Sequence, residues 1–226
     1  MGTALVTGAS SGLGVEFAWQ LATARHGLVL VARDQARLDR LAARIRSAAG
    51  VDVEVLPADL AVPSDVAQVT ARLAASVRPV GLLVNNAGYG LGEPFLETAI
   101  EQQADLEAVM VHAVMVLSHA AARAMVPRGR GAILNVSSIA AYTAGTYSAH
   151  KAWVKTFTEG LAQELRGTGV TATALLPGLV RTEFHQRAGL DYSHYPACVW
   201  LKPRPVVARA LADVRRGAVL STPSAR

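Results

Sequence analysis

Tyr147 and Lys151 stand four residues apart inside an apolar-periodic stretch. On a helix that spacing puts both side chains on one face, with Cβ atoms about 6 Å apart. A free phenol has a pKa of about 10 and is a poor acid or base at neutral pH. A neighbouring ammonium favours the phenolate and lowers that value, which makes the pair a candidate general acid–base. Tyr-x-x-x-Lys alone arises by chance in many helices. It gains force from Ser138, preceded by Ser137, at the end of the apolar run before it. A hydroxyl placed there sits at the carboxyl edge of a strand, where doubly wound sheets hold their ligands.

A second constellation lies at the amino terminus. Thr7-Gly8-Ala9-Ser10-Ser11-Gly12-Leu13-Gly14 follows an apolar run and opens a helical pattern. Small residues there let a backbone approach a diphosphate, and a helix start supplies free N–H groups and a positive dipole end. The spacing differs from the common G-x-G-x-x-G fingerprint. After the next apolar run, Ala32 occupies the place where an acidic residue would bind the ribose 2′-hydroxyl of NAD, and Arg33 follows it. A guanidinium there suits a 2′-phosphate and favours NADP, with an ordinary surface charge as the competing reading. Asp34 is placed to cap the next helix.

The elements that must position these groups alternate regularly. Strands are predicted at Ala4–Thr7, Leu28–Ala32, Val53–Leu56, Leu82–Asn85, Ala132–Val136, Thr171–Leu175 and Ala218–Leu220. Helices are predicted near Leu13–Arg25, Gln35–Ala49, Pro63–Val77, Thr98–Met125, Tyr147–Arg166 and Pro205–Arg215. The strand runs lack polar alternation, as strands covered on both faces do. The expected fold is a single α/β domain over residues 1–226, a Rossmann-like doubly wound parallel sheet of about seven strands with helices on both faces. Residues 178–205 break the rhythm and gather Phe184, Tyr192, Tyr195 and Trp200, which suggests a substrate lid around 179–204.

With these residues in order, the chain resembles a classical short-chain dehydrogenase/reductase along essentially its whole length. The resemblance rests on the turn from Thr7 to Gly14, on Asp59-Leu60, on Asn85-Asn86-Ala87-Gly88, on Asn135-Val136-Ser137-Ser138, on Tyr147-Ser148-Ala149-His150-Lys151, and on Pro177-Gly178-Leu179-Val180-Arg181-Thr182. It implies hydride exchange between NADP(H) and a carbonyl or alcohol, with NAD(H) less preferred. It implies that Tyr147 exchanges the proton, that Ser138 holds the oxygen, and that Lys151 lowers the phenol pKa and grips the nicotinamide ribose. Gly8, Ser10, Ser11, Gly12, Leu13 and Gly14 would cradle the diphosphate. Asp59 and Leu60 would meet the adenine, and Asn86, Ala87 and Gly88 the adenosine side. Pro177, Gly178, Val180 and Thr182 would frame the carboxamide. The chain departs from the family at His112, where an asparagine usually anchors a proton relay to the lysine. A relay through the backbone carbonyl survives that change, an imidazole can relay a proton itself, and a packed histidine is the plain alternative. The chain departs again in the short loop of eight residues between Ser138 and Tyr147, with Ser137 and Thr143 as fallback donors.

Composition closes off other classes. Of 226 residues, 51% are hydrophobic and 17% charged, which excludes a mainly disordered chain. The net charge of +5 is scattered, so no nucleic acid is expected as a partner. The single cysteine, Cys198, excludes a disulfide framework and a multi-cysteine zinc site, and the histidines lack metal-ligand spacing, so no metal is expected. No targeting or membrane-spanning segment is read, and the setting expected is cytoplasmic. The expected partner is a small apolar carbonyl or alcohol compound, and the long helices suggest a homodimer or homotetramer. The alternative is a dinucleotide-binding sensor on the same fold that has lost its chemistry.

Overall fold

The computed structural model describes residues 2–190 and 195–223. Seven parallel strands form one sheet in the order β3-β2-β1-β4-β5-β6-β7. They are β1 Thr3–Thr7, β2 Gly27–Ala32, β3 Val53–Pro57, β4 Val80–Asn85, β5 Gly131–Val136, β6 Val170–Leu175 and β7 Leu220–Ser221. The helices are α1 Gly12–Thr23, α2 Gln35–Ala49, α3 Pro63–Ala74, α4 Ile100–Glu107, α5 Ala113–Met125, α6 Thr146–Glu164, α7 Phe184–Arg187 and α8 Pro203–Arg215.

The missing polar alternation in the strands has its cause in the layers. Along β1 and β2, Ala4, Val6, Leu28 and Leu30 enter one core with Phe17, Leu38 and Val207 from α1, α2 and α8. Leu5, Val29 and Val31 enter the opposite core with Val69 and Leu117 from α3 and α5. Both faces of each strand are therefore apolar. The order reverses direction between β1 and β4, the point at whose carboxyl ends doubly wound sheets place a ligand crevice.

Several element ends shift, among them the helix expected over Pro63–Val77, which stops at Ala74, and that expected from Pro205, which starts at Pro203. The last strand lies at Leu220–Ser221 rather than Ala218–Leu220, because its pairing to β6 is confined to Ala174 and Leu175 at the edge of the sheet. The long helix expected over Thr98–Met125 starts at Ile100 and is interrupted by a π-helical turn over Ala108–His112. The run Ile100–Arg128 has the length and apolarity of a membrane span by composition. Val109, Ala113, Leu117, Ala121 and Met125 from it pack into the core beneath the sheet.

Candidate active site

β5 and α6 carry the candidate catalytic residues. Tyr147 lies in the first turn of α6 and Lys151 one turn on, with the lysine only 5% exposed. The Lys151 ammonium Nζ donates to the Val136 carbonyl oxygen at 2.8 Å and sits 5.6 Å from the centre of the Tyr147 ring. Burial pushes the lysine down to about 8, so near neutral pH it keeps its proton beside the phenol. Ser137 is committed elsewhere: its Oγ donates to the Lys151 carbonyl oxygen at 2.7 Å, tying β5 to α6. The Ser138 Oγ accepts from Ala140 N–H at 3.1 Å, which leaves its own proton to donate. The Thr143 hydroxyl donates to the Ala140 carbonyl oxygen at 3.0 Å and meets the Ser148 hydroxyl at 2.9 Å. Of the three candidate hydroxyls, only Ser138 is found to donate to no acceptor among the described residues.

The amino-terminal turn passes the steric test for a diphosphate cradle. A Cβ on Gly14 would collide with the Gly8 carbonyl oxygen, and one on Gly8 would come within 2.9 Å of Ala87 Cα. Glycine is therefore required for the turn to lie this close to β4. Ser11 is the N-cap of α1 without a side-chain cap bond, and the first helical turn carries no acidic residue. Free N–H groups at a positive helix end fit an anion. Thr7 holds the turn in place: its Oγ1 accepts from Asn86 N–H at 2.9 Å and Ala87 N–H at 3.0 Å. The Asn86 amide adds a bond to the Thr7 carbonyl oxygen at 2.9 Å. Ser10 is half-buried, and Leu13 is half-buried against the core.

At the end of β2, Asp34 caps α2 by accepting from Arg37 N–H at 2.9 Å. Arg33 has a side chain 72% exposed and lies 3.8 Å from Asp59 Oδ2. Asp59 Oδ1 accepts from Ala61 N–H at 3.0 Å, which fixes the carboxylate, and Leu60 beside it is buried.

The residues after β6 cross the front of the cleft. Pro177 is buried, and its carbonyl oxygen accepts from Ile139 N–H at 3.1 Å. A Cβ on Gly178 would meet Ile139 Cδ1 at 3.7 Å, and Val180 forms a parallel bridge with Leu201. Thr182 lies over Gly12, where a Cβ would stand 3.3 Å from Thr182 Cβ. Phe184 stands 5.7 Å from Tyr147 between ring centres, followed by His185 at 5.3 Å and then Trp200 at 5.0 Å from His185. Tyr192 and His194 lie outside the described residues.

His112 is exposed at the end of the π-helical turn, and no hydrogen bond of its side chain is found among the described residues. Gly88 lies between the turn and the lysine: a Cβ there would stand 3.5 Å from the Met110 side chain at Cγ and 3.6 Å from Lys151 Nζ. A π-helical turn frees a carbonyl from the regular ladder and recurs at functional sites. No group of three or more histidine, cysteine or carboxylate residues suited to a metal is found among the described residues, and Cys198 is exposed. Sequence reasoning misses three features: Thr7 as the clamp on the turn, the packing of Phe184 on Tyr147, and an ion pair between Arg37 and Glu183. Thr7 carries a signal as the first residue of the glycine turn, and Phe184 as one of the lid aromatics. The ion pair carries none.

The chain matches the short chain dehydrogenase family model over residues 2–193. It is 36% identical over 178 residues to a very-long-chain 3-oxoacyl-CoA reductase of Laccaria bicolor, covering 76% of this chain and 53% of that protein. The chain thus spans about half the length of that relative. Among solved structures it is similar to a short-chain dehydrogenase from Sphingobium yanoikuyae in complex with NADPH, with TM-score 0.94 and 39% identity, covering 99% of this chain and 88% of that one. It is also similar to a bulky-bulky ketone specific alcohol dehydrogenase from Comamonas testosteroni, with TM-score 0.89 and 32% identity over 98% of this chain and 86% of that one.

Proposed function

The chain belongs to the short-chain dehydrogenase family, and from that premise we propose that it is an NADP(H)-dependent reductase of an apolar ketone or aldehyde, reversible as an alcohol dehydrogenase. One observation carries the reading: the buried Lys151 is anchored on the Val136 carbonyl oxygen and its Nζ lies 5.6 Å from the Tyr147 ring centre. The similarity to a protein solved with NADPH supports the cofactor, and the exposed Arg33 supports the choice of the phosphorylated dinucleotide.

Bound NADPH supplies the hydride, and the chain handles the oxygen and the proton. Tyr147 donates its phenolic proton to the carbonyl oxygen, and the Ser138 hydroxyl donates a hydrogen bond to the same oxygen. The Lys151 ammonium stabilises the phenolate that remains. Val136 takes one of the three lysine N–H groups, which leaves two for the ribose and for a relay. A backbone carbonyl of the turn Ala108–His112 serves that relay, so the exposed His112 imidazole is not required. Gly8, Gly12 and Gly14 hold the diphosphate, Arg33 the 2′-phosphate, and Asp59 the adenine.

Residues 179–204 act as the substrate lid, and Phe184 and Trp200 give it an aromatic lining suited to an apolar compound. The chain pairs into a homodimer or homotetramer through α5 and α6. Half-buried Trp153 and Phe157 stack there at 4.7 Å, and Met115 is exposed on α5. The exposed thiol of Cys198 suits a reducing cytoplasm.

The test is NADPH oxidation against a panel of ketones and aldehydes. Tyr147→Phe is expected to lower turnover by about a hundredfold to ten-thousandfold, the range general acid catalysis supplies. Wild-type turnover no higher than that of the variant on every compound defeats the reading. NADPH binding without turnover favours the sensor instead.

A further inference from the structure

The segment after β6 and the helix after β2 lie on opposite sides of the cleft. Strands β1, β4 and β5 separate them, so their parent strands stand four intervals apart, roughly 19 Å. They nonetheless meet. Glu183 Oε2 accepts from Arg37 at 3.2 Å across 146 residues of sequence, and Asp34 Oδ2 holds the same guanidinium from its own helix at 3.5 Å. The two neighbours of Glu183 are both at the proposed site: Thr182 lies over Gly12 of the diphosphate turn, and Phe184 packs on the Tyr147 ring. The consecutive residues Thr182, Glu183 and Phe184 therefore form a strap that meets the phosphate turn, the start of α2 and the catalytic phenol in turn, and the ion pair at its middle residue fastens it to α2.

We propose that Glu183 and Arg37 are positioning residues that clasp this strap across the cleft, so that a bound dinucleotide leaves only when the clasp opens. The inference rests on the cofactor reading above. The clasp is a link between elements, in contrast to the second partner of Glu183. Arg187 pairs with the same carboxylate from one turn along the strap itself and holds nothing across the cleft. Arg37 is the leading cause that keeps the Glu183 carboxyl below its usual range, with Arg187 adding to it, so the clasp stays charged throughout the neutral range. Closure of this kind sets release rates in many enzymes.

The clasp is half exposed, so its effect is modest and definite. The experiment measures the release of NADPH and of NADH from the full chain by stopped-flow fluorescence, without substrate. Glu183→Gln and Arg37→Gln are each expected to speed release of both dinucleotides by about two- to fivefold, the range for a half-exposed ion pair. The double variant is expected to match the faster single one, since both remove one interaction. Arg37→Lys, which keeps a cation, is expected to recover most of the wild-type rate, and Arg187→Gln to leave it unchanged. Wild-type rates in both single variants overturn the clasp, and so do additive effects in the double. An equal effect of Arg187→Gln overturns it in favour of simple stabilisation of the strap. An effect on NADPH alone overturns it in favour of direct phosphate binding by Arg37. A wild type that binds neither dinucleotide removes the cofactor reading and this inference together, whereas binding with unaltered variants removes only the latter.

Discussion

The two ends of the cleft hold their cations in opposite ways. Lys151 is 5% exposed, fixed to a strand carbonyl at 2.8 Å, and depressed by burial to about 8. Arg33 is 72% exposed on its side chain and faces Asp59 at 3.8 Å, looser than a hydrogen bond. A group that must tune a proton transfer needs a fixed distance and low dielectric, and these come from burial. A group that must receive a charged phosphate from water gains nothing by losing its own hydration first. The scaffolding follows the same division. Under the catalytic end, Asn85 Nδ2 donates to Ser118 Oγ at 3.1 Å and to Asn135 Oδ1 at 2.9 Å, and Asn135 Nδ2 donates to Thr158 Oγ1 at 3.0 Å. That chain is fully buried and links β4, α5, β5 and α6. The strap at the open side is held by exposed ion pairs.

The largest expected effect tests whether the lysine is buried as a charge. Lys151→Met is expected to lower catalytic turnover by about a hundredfold or more, because the phenol loses the neighbouring ammonium proposed to stabilise its ionised form. Stability supplies a second readout. The folded pKa of about 8 lies below the ordinary value of 10.5, so between them the unfolded state binds more protons than the native state. The cost of burying the ammonium is fully present below about pH 8 and is relieved as pH rises toward the unfolded value. Denaturant unfolding without cofactor should show wild type gaining on Lys151→Met by up to about 1.4 kcal/mol per pH unit in that window. A flat difference would mean that a phenolate already compensates the ammonium, and the contrast between the two ends would lose its physical basis.

The buried chain beneath the site gives the next effect. Asn135→Ala leaves one N–H of the Asn85 amide without its acceptor and removes the donor to the Thr158 hydroxyl, while Asn85 keeps Ser118 and Thr158 keeps the Val154 carbonyl oxygen. Leaving buried polar groups unsatisfied costs about 1–3 kcal/mol, so Tm should fall by roughly 4–8 °C for about 2 kcal/mol in a chain of this size. Glu183→Gln should leave Tm almost unchanged, because its ion pairs are half exposed. Equal losses would erase the distinction between the two scaffolds.

The same distinction explains what could be read from the sequence. Strands β1 to β6 were legible because burial on both faces writes itself as continuous apolar runs, and Tyr147 with Lys151 because a helix converts a spacing of four into proximity. The two-residue β7 has too few paired residues to fix its limits by composition, and the π-helical turn at Ala108–His112 breaks a run whose apolar pattern continues through it. The Arg37–Glu183 pair was out of reach for another reason. It joins exposed residues 146 positions apart, and charges so far separated carry no period that would announce their meeting.

The smallest effect concerns Arg33 itself, where exposure limits what one guanidinium contributes. Arg33→Ala is expected to lower the preference for NADPH over NADH by about tenfold, equivalent to 1.4 kcal/mol, measured as the ratio of the two dissociation constants. Because the site faces water, added salt screens the interaction. The wild-type preference should therefore shrink as ionic strength rises, and that of the variant should change less. The rate of the chemical step with saturating NADPH should stay near wild type, since Arg33 lies at the far end of the cleft from Tyr147. A preference that survives both the substitution and the salt would move the recognition of the 2′-phosphate away from Arg33. Arg37 would then be the next cation to test, since it is already drawn toward two carboxylates, Asp34 and Glu183.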